Sequence, residues 1–519
     1  MLALANSTEK VVSPHENGRP PIRNIRLPHR SIKDEAHIAK ILTYPKHYRE
    51  NLQPVSDPFI EDLIQRNILG KNSYPRGDMF AVQARAFFNV LPEKHKKLFS
   101  EVVQAFNQDE KNLEMLKGAI FSGGEMRVIA EAGPAIAINT LTELLGVTYS
   151  EQNKNPTFNT FAGTSAGSYP AVAFASRVRN SDLFKMSAYY DFTKFYRSPE
   201  TVEKKFDGCA RKGIYFATGK KIPKPTVEDI NNLGSDLEVL LAEKRSLFRR
   251  LMSRMPRVFL APRDVEERYG IDPKTLGIGE LARKTSNLIF LFWNPGDKTC
   301  GDCSFEDSEG TKHYIYDPGA PAVYTMPLTI LEEEIKKYKN GEIEKPAFYF
   351  LVGNRRTETA EMPEQLFGKP TPKLTYWVYC NAVNLIDLYD KYWRGDTAYH
   401  IDKLGGNESY LEASCEVKDS KTQEPAKMGI GEFNLSPRKR EILVYENILI
   451  AIEQMHEQLV DANYLQGIGG RSPYEIYLDD INRSIGKPSK KNDIPLDQSG
   501  VVFAIKQAVK ETTSVAASL

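Results

Sequence analysis

Cysteine is scarce in this chain, with five in 519 residues. An odd, low count excludes the disulfide framework of a small secreted domain and makes a reducing compartment the expectation. No run of ~18 apolar residues occurs, so no helix is expected to cross a membrane. The first residues, Met1-Leu-Ala-Leu-Ala-Asn6, carry no basic residue ahead of a very short apolar stretch. That is too short for a secretory leader. The last residues, Ser514-Val-Ala-Ala-Ser-Leu519, form neither a lipidation box nor a clear peroxisomal address. An excess of charge of one sign is also missing: 69 Lys and Arg stand against 68 Asp and Glu, a net charge of +1. Such balance argues against a global nucleic-acid coat. There is no P-loop, no complete G-x-G-x-x-G and no internal repeat at a fixed period. A cytoplasmic protein that binds no nucleic acid is the expectation, with secretion by a route that needs no cleaved leader left open.

What is present is globular in character: 41% hydrophobic and 10% aromatic residues exclude a wholly disordered chain. Residues 1–50 read as a flexible tail with Pro14, Pro20, Pro21 and Pro28; over 1–30, Lys10, Arg19, Arg23, Arg26 and Arg30 outnumber Glu9 and Glu16. It is either a solvated basic arm or a contact for an anionic membrane surface. Residues 51–116 read as helical, with Phe59, Leu63, Ile64 and Ile68, then Phe99, Val102, Val103 and Phe106, at helical spacing. From Gly118 the texture changes. Gly118-Ala-Ile-Phe-Ser122 is a short apolar run that stops at Gly123-Gly124, as a buried strand does before a turn. A helix is expected over 126–145, closed by Gly146. A second strand, Thr157-Phe-Asn-Thr-Phe-Ala162, runs into Gly163-Thr-Ser-Ala-Gly167 and a helix near 169–177. Strand, turn, helix, repeated, is the grammar of a parallel α/β sheet.

The interval 180–280 shows no clear sheet rhythm and reads as an insertion or cap. Its best element is a helix over 235–255, with Leu237, Leu240, Leu241, Leu247, Phe248, Leu251 and Met252 on one side and Lys244, Arg245, Arg249, Arg250, Arg254 and Arg257 on the other. That face is either solvated or suited to an anionic lipid interface. Strand patterns return at 287–293, 312–316 and 347–352, with a helix at 328–338. A mainly helical domain is expected over 370–519, where Ser436-Pro437 makes a good helix start.

The pentapeptide Gly163-Thr164-Ser165-Ala166-Gly167 matches G-x-S-x-G. A nucleophilic serine must stand on a sharp strand-to-helix turn, and only small neighbours permit it. The following helix N-terminus favours a developing anion. Gly123-Gly124 lies at a similar junction upstream, where backbone N–H groups can approach a reacting oxygen. Arg127 opens the next helix.

Together, Ser122-Gly-Gly-Glu-Met-Arg127, Glu131-Ala-Gly133 and Gly163-Thr-Ser-Ala-Gly167 resemble the patatin-like phospholipase family. The resemblance covers about 117–355 in outline, and three short motifs carry it. It implies a three-layer α/β/α catalytic domain at 117–360 that hydrolyses acyl esters of lipids, in the manner of a phospholipase A, with a Ser–Asp dyad. It implies Ser165 as nucleophile and, from Tyr314-Ile-Tyr-Asp-Pro-Gly319, Asp317 as base with Gly319 in the dyad loop. The oxyanion hole would use the backbone at Gly123, Gly124 and Glu125, with Arg127 supporting the turn and Gly163 and Gly167 shaping the nucleophile elbow. No metal or cofactor is implied. Substrate would come from a membrane met peripherally, and a protein activator could dock on the C-terminal helices.

The sequence departs from the family at Glu125 and Val128, where glycines are usual, and at Pro318, where glycine follows the aspartate. A catalytically degenerate binding protein on the same fold is therefore the alternative. A Ser–His–Asp hydrolase would instead need His313, His400 or His456, none of which has the flanking turn of a catalytic histidine. Cys300-Gly-Asp-Cys303 is one C-x-x-C without a second pair; with His313 and Cys209 it could hold zinc, though two loop cysteines are the simpler reading.

Overall fold

The short apolar runs that stop at glycine form the middle of the sheet. The computed structural model describes residues 54–69, 76–150, 153–192, 199–243, 257–287, 303–318, 326–344, 346–355, 365–366, 369–370, 410–428 and 435–459. Helices α1 (Pro58–Leu69), α2 (Arg76–Val90), α3 (Glu93–Asn107) and α4 (Glu110–Met115) come first. Strand β1 (Leu116–Phe121), helix α5 (Val128–Leu144), strand β2 (Thr160–Thr164) and helix α6 (Ser168–Ala175) then alternate as expected. Next are α7 (Asn180–Tyr189), α8 (Pro199–Thr218), α9 (Val227–Asn231), β3 (Asp236–Glu243), β4 (Arg257–Ala261), α10 (Val265–Tyr269) and α11 (Ile278–Thr285). They are followed by β5 (Ser304–Glu306), β6 (Lys312–Tyr316), α12 (Thr329–Lys339), β7 (Phe348–Arg355), and a small pair, β8 (Gln365–Leu366) and β9 (Lys369–Pro370). The last elements are β10 (Tyr410–Ser414), β11 (Glu416–Lys418), β12 (Pro425–Lys427) and α13 (Pro437–Leu459).

The fold is mixed α/β around a mostly parallel sheet of order β10-β7-β1-β2-β3-β6-β5, with β4 also paired to β3. The five strands from β10 to β3 are parallel; β4 and β6 run antiparallel to β3. Residues paired across strands point to one face, so Phe161, Ala119 and Phe350 share a face. Phe106 of α3 meets Phe350 there at 6.3 Å between ring centroids, and Phe174 of α6 meets Phe161 at 5.4 Å. Tyr349 faces the other way, within electrostatic reach of Glu334 on α12. Helices thus cover both faces, as parallel strands buried on both sides require. Helix α5 is apolar nearly all round, and every residue in it except Asn139 and Glu143 is buried.

Three expectations need correction. Residues 236–243, expected in a helix, are strand β3, next to β2 near the centre of the sheet. Leu237, Val239, Leu240, Leu241 and Ala242 are all buried. A strand buried on both faces loses its alternation, and its leucines then fall at helical spacing by coincidence. The basic residues Lys244, Arg245, Arg249, Arg250 and Arg254 lie outside the described residues, and Arg257 opens β4.

The interval 180–280 is accordingly not only a cap, since it supplies two strands to the sheet. Nor do the described residues between 410 and 459 form a separate helical domain. Strand β10 pairs in parallel with β7, and α13 packs on α5, α3 and α7. The outer edge of β10 is closed by side-chain amides of α13. Asn447 exchanges hydrogen bonds with the backbone N–H and C=O of Ser414, and Gln454 does so with those of Glu412. Gln458 donates to Tyr410 O. An edge that would otherwise offer unpaired groups is satisfied within the chain. The tail 1–50, the strand expected at 288–293 and the segments 371–409 and 460–519 lie outside the described residues.

Candidate active site

Strand register fixes where the site lies. Phe121 pairs with Gly163, and Thr164 with Leu240, so β1, β2 and β3 deliver the turns that follow β1 and β2 to one edge of the sheet. This is the carboxyl edge, where parallel α/β sheets place their chemistry.

At the end of β2 the chain turns at Ser165, which has φ of 51°. A non-glycine residue in the left-handed region is strained and needs neighbours that hold it there. A short 3₁₀ turn, Ser165–Gly167, then leads into α6, and Ser168 Oγ donates to Ser165 O at 2.6 Å. Gly167 permits this turn to meet the one after β1: a Cβ there would lie 2.2 Å from Ser122 O. Gly123 sits against the serine itself, since a Cβ on it would lie 3.2 Å from Ser165 Cβ. Gly163 lies between them in β2, packed on the backbone of Gly167 and Ser168.

After β1, Ser122 N–H donates to Val352 O at 2.9 Å, tying the turn to β7. Gly123 and Gly124 follow, and Glu125–Arg127 form a 3₁₀ turn that opens α5. Among the described residues no acceptor meets the N–H of Gly123 or Gly124. These are the donors expected of an oxyanion hole. The backbone of Glu125 belongs to the turn, while its side chain lies outside the described residues. Arg127 is buried, at 2% exposure, rather than a surface residue. Ser122 Oγ donates to Glu131 Oε1 at 2.7 Å, and burial pushes the Glu131 carboxyl up to about 8. Burial thus favours the uncharged form of the carboxyl that lies beneath the glycine turn.

Asp317 follows β6. Because β6 meets β3 antiparallel only through Ile315 and Tyr316, its carboxyl end comes down beside the end of β2. Ser165 Oγ donates a hydrogen bond to Asp317 Oδ2. Both residues are buried, Ser165 at 5% and Asp317 at 1% exposure. Pro318 follows directly and is buried; Gly319 lies outside the described residues.

Ser165 and Asp317 have supports that the sequence did not announce. Thr285, the last residue of α11, accepts from Ser165 N–H at 2.8 Å through Oγ1 and donates from the same atom to Leu240 O at 2.7 Å. Ser286 Oγ donates to Ser165 O at 3.3 Å. Asn287 O accepts from Asp317 N–H at 3.0 Å, and Asn287 Nδ2 donates to Ile315 O at 2.8 Å. The only signal in the sequence is a Thr-Ser-Asn run at a helix end.

The histidine alternatives point elsewhere. Both ring nitrogens of His313 face carboxylates, Nδ1 at 2.9 Å from Glu243 Oε1 and Nε2 at 2.9 Å from Asp307 Oδ2. His456 lies 2.6 Å from Glu101. His400 and Cys300 are outside the described residues, Cys209 and Cys303 are buried, and no metal-holding cluster occurs among the described residues. Also among the described residues, no helix is long and apolar enough to cross a membrane.

No protein-family model and no curated protein matches the chain. The functional reading therefore rests on the geometry of the site and on the motifs that build it.

Proposed function

We propose that this protein is a lipid acyl hydrolase of phospholipase A type, working through a Ser165–Asp317 dyad on a patatin-like fold. The observation that carries the reading is Ser165 Oγ, on a strained strand-to-helix turn, hydrogen-bonded to a buried aspartate. A nucleophile and base in hydrogen-bond contact beside open backbone donors are the parts acyl transfer requires.

The chemistry follows from these positions. Ser165 Oγ attacks the ester carbonyl as Asp317 takes its proton. The carbonyl electrons move onto oxygen, and the N–H groups of the Gly123–Glu125 turn stabilise that charge. The tetrahedral species collapses, the C–O bond to the alcohol breaks, and Asp317 returns the proton to the leaving oxygen. Asp317 then takes a proton from a water, which attacks the acyl–serine ester; the C–O bond to Ser165 breaks, Asp317 returns that proton to Ser165 Oγ, and the acid is released. No step needs an external cofactor.

Lipid as substrate and peripheral contact with an anionic membrane are supported by the motif resemblance and by the basic residues between 244 and 257. The residues that flank them, Glu243 and Arg257, pair at the end of β3 on the carboxyl edge that carries Ser165. Hydrolysis of a soluble short-chain ester and of phosphatidylcholine–phosphatidylglycerol vesicles by the wild type, absent in Ser165→Ala, is the expected result. Equal turnover by both proteins would refute the dyad. Turnover of the short-chain ester alone would refute the lipid assignment.

A further inference from the structure

The nucleophile and its base come from distant parts of the chain, and one short segment touches both. Ser165 is held at its backbone N–H by Thr285, and its carbonyl, which accepts from Ser168 Oγ at 2.6 Å, also accepts from Ser286 Oγ at 3.3 Å. Asp317 is held at its backbone N–H by the carbonyl of Asn287. Three consecutive residues at the end of α11 thus bond to both halves of the dyad. From these contacts we propose that Thr285–Asn287 is a positioning clamp that keeps the left-handed turn at Ser165 in register with Asp317. The inference rests on the reading of these two residues as the catalytic dyad.

Thr285 is the central member. It is fully buried, and its hydroxyl both accepts and donates, linking Ser165 N–H to the carbonyl of Leu240 on β3. The serine at positive φ is strained and would relax toward an ordinary turn if its N–H lost its acceptor. Valine has almost the shape of threonine but no hydroxyl. It would leave a buried N–H and a buried carbonyl without their partner, so the strained turn would lose the contact that opposes its relaxation. Ser165 Oγ would then leave Asp317, and a displacement of about 1 Å at a reacting atom can cost about a hundredfold in rate. Serine at 285 keeps the hydroxyl and should keep the geometry.

Turnover of a short-chain p-nitrophenyl ester by Thr285→Val, Thr285→Ser and wild type, joined to crystal structures of all three, tests the clamp. The expected result is a kcat lower by about tenfold to a hundredfold in Thr285→Val with KM within about twofold. Thr285→Ser should return to within about twofold of wild type, and Ser165 in Thr285→Val should leave the left-handed region or lose Asp317. A kcat in Thr285→Val equal to wild type, or a Thr285→Ser no better than Thr285→Val, would overturn the clamp. If Thr285→Val does not fold, Ser286→Ala replaces it: kcat should fall by about threefold, and an unchanged kcat overturns the proposal. Should wild type turn over no faster than Ser165→Ala, the dyad reading fails. The crystal structures then decide the clamp alone: Ser165 keeping its φ and its Asp317 contact in Thr285→Val refutes it.

Discussion

Ser165 Oγ donates a hydrogen bond to the carboxylate of Asp317, a residue 152 positions further along the chain. On the proposed mechanism these two side chains act as one unit, and such units lose their function together. Ser165→Ala, Asp317→Ala and the double variant should therefore each lower ester turnover by a similar factor, on the order of 10³ or more. Losses that multiply in the double variant would show that the two residues act independently.

The glycines around the dyad separate fold from function. A Cβ at position 167 would lie 2.2 Å from the backbone oxygen of Ser122, which cannot move without its strand. Gly167→Ala should cost roughly 1–3 kcal/mol in urea unfolding and lower activity with it. At Gly123 the nearest contact would be 3.2 Å, to Ser165 Cβ and Thr164 O. Gly123→Ala should lower kcat while the unfolding midpoint moves little. An active Gly167→Ala of wild-type stability would contradict this packing.

The legible parts of the sequence were those with local signals. Strands β1, β2 and β7 are short apolar runs near glycine, and the turn at Ser165 is announced by the small residues it needs. Strand β3 was not legible, because burial on both faces erases the alternation that marks a strand. Strand β10 fully buries Leu411 and Ala413 alone among its five residues and pairs with a distant partner, so little in its sequence marks it. Thr285, Ser286 and Asn287 look like an ordinary helix end. Their role depends on where Ser165 and Asp317 arrive, which no local pattern encodes.

Glu131 makes stability depend on pH. Its carboxyl is raised from 4.5 to about 8, by burial, with Ser122 opposing the shift. Between these values the unfolded chain releases a proton that the folded chain keeps, so stability falls as pH rises from 4.5 to about 8 and levels off above. Glu131→Gln removes this contribution. Its stability relative to wild type should rise across the same window by roughly a few kcal/mol. Urea unfolding at pH 5 and pH 8 measures the difference; parallel curves for the two proteins would contradict a buried, protonated Glu131.

His313 gives a second pH effect and bears on mechanism. Its pKa is raised above 6.5, chiefly by the hydrogen bond to Asp307 and then by Glu243, with burial opposing. The stability it adds is fully present below pH 6.5 and is lost as pH rises through the raised value. His313→Gln should flatten that part of the profile while ester turnover stays within about threefold. A fall in turnover of about 10²-fold or more would instead mark His313 as a general base and favour a triad.

If Asp317 activates Ser165, a fluorophosphonate should capture that serine. Intact-mass spectrometry with peptide mapping should find one adduct on wild type, mapped to Ser165, none on Ser165→Ala, and much slower labelling of Asp317→Asn. A wild-type protein that stays unmodified, or an adduct on any other residue, would contradict it.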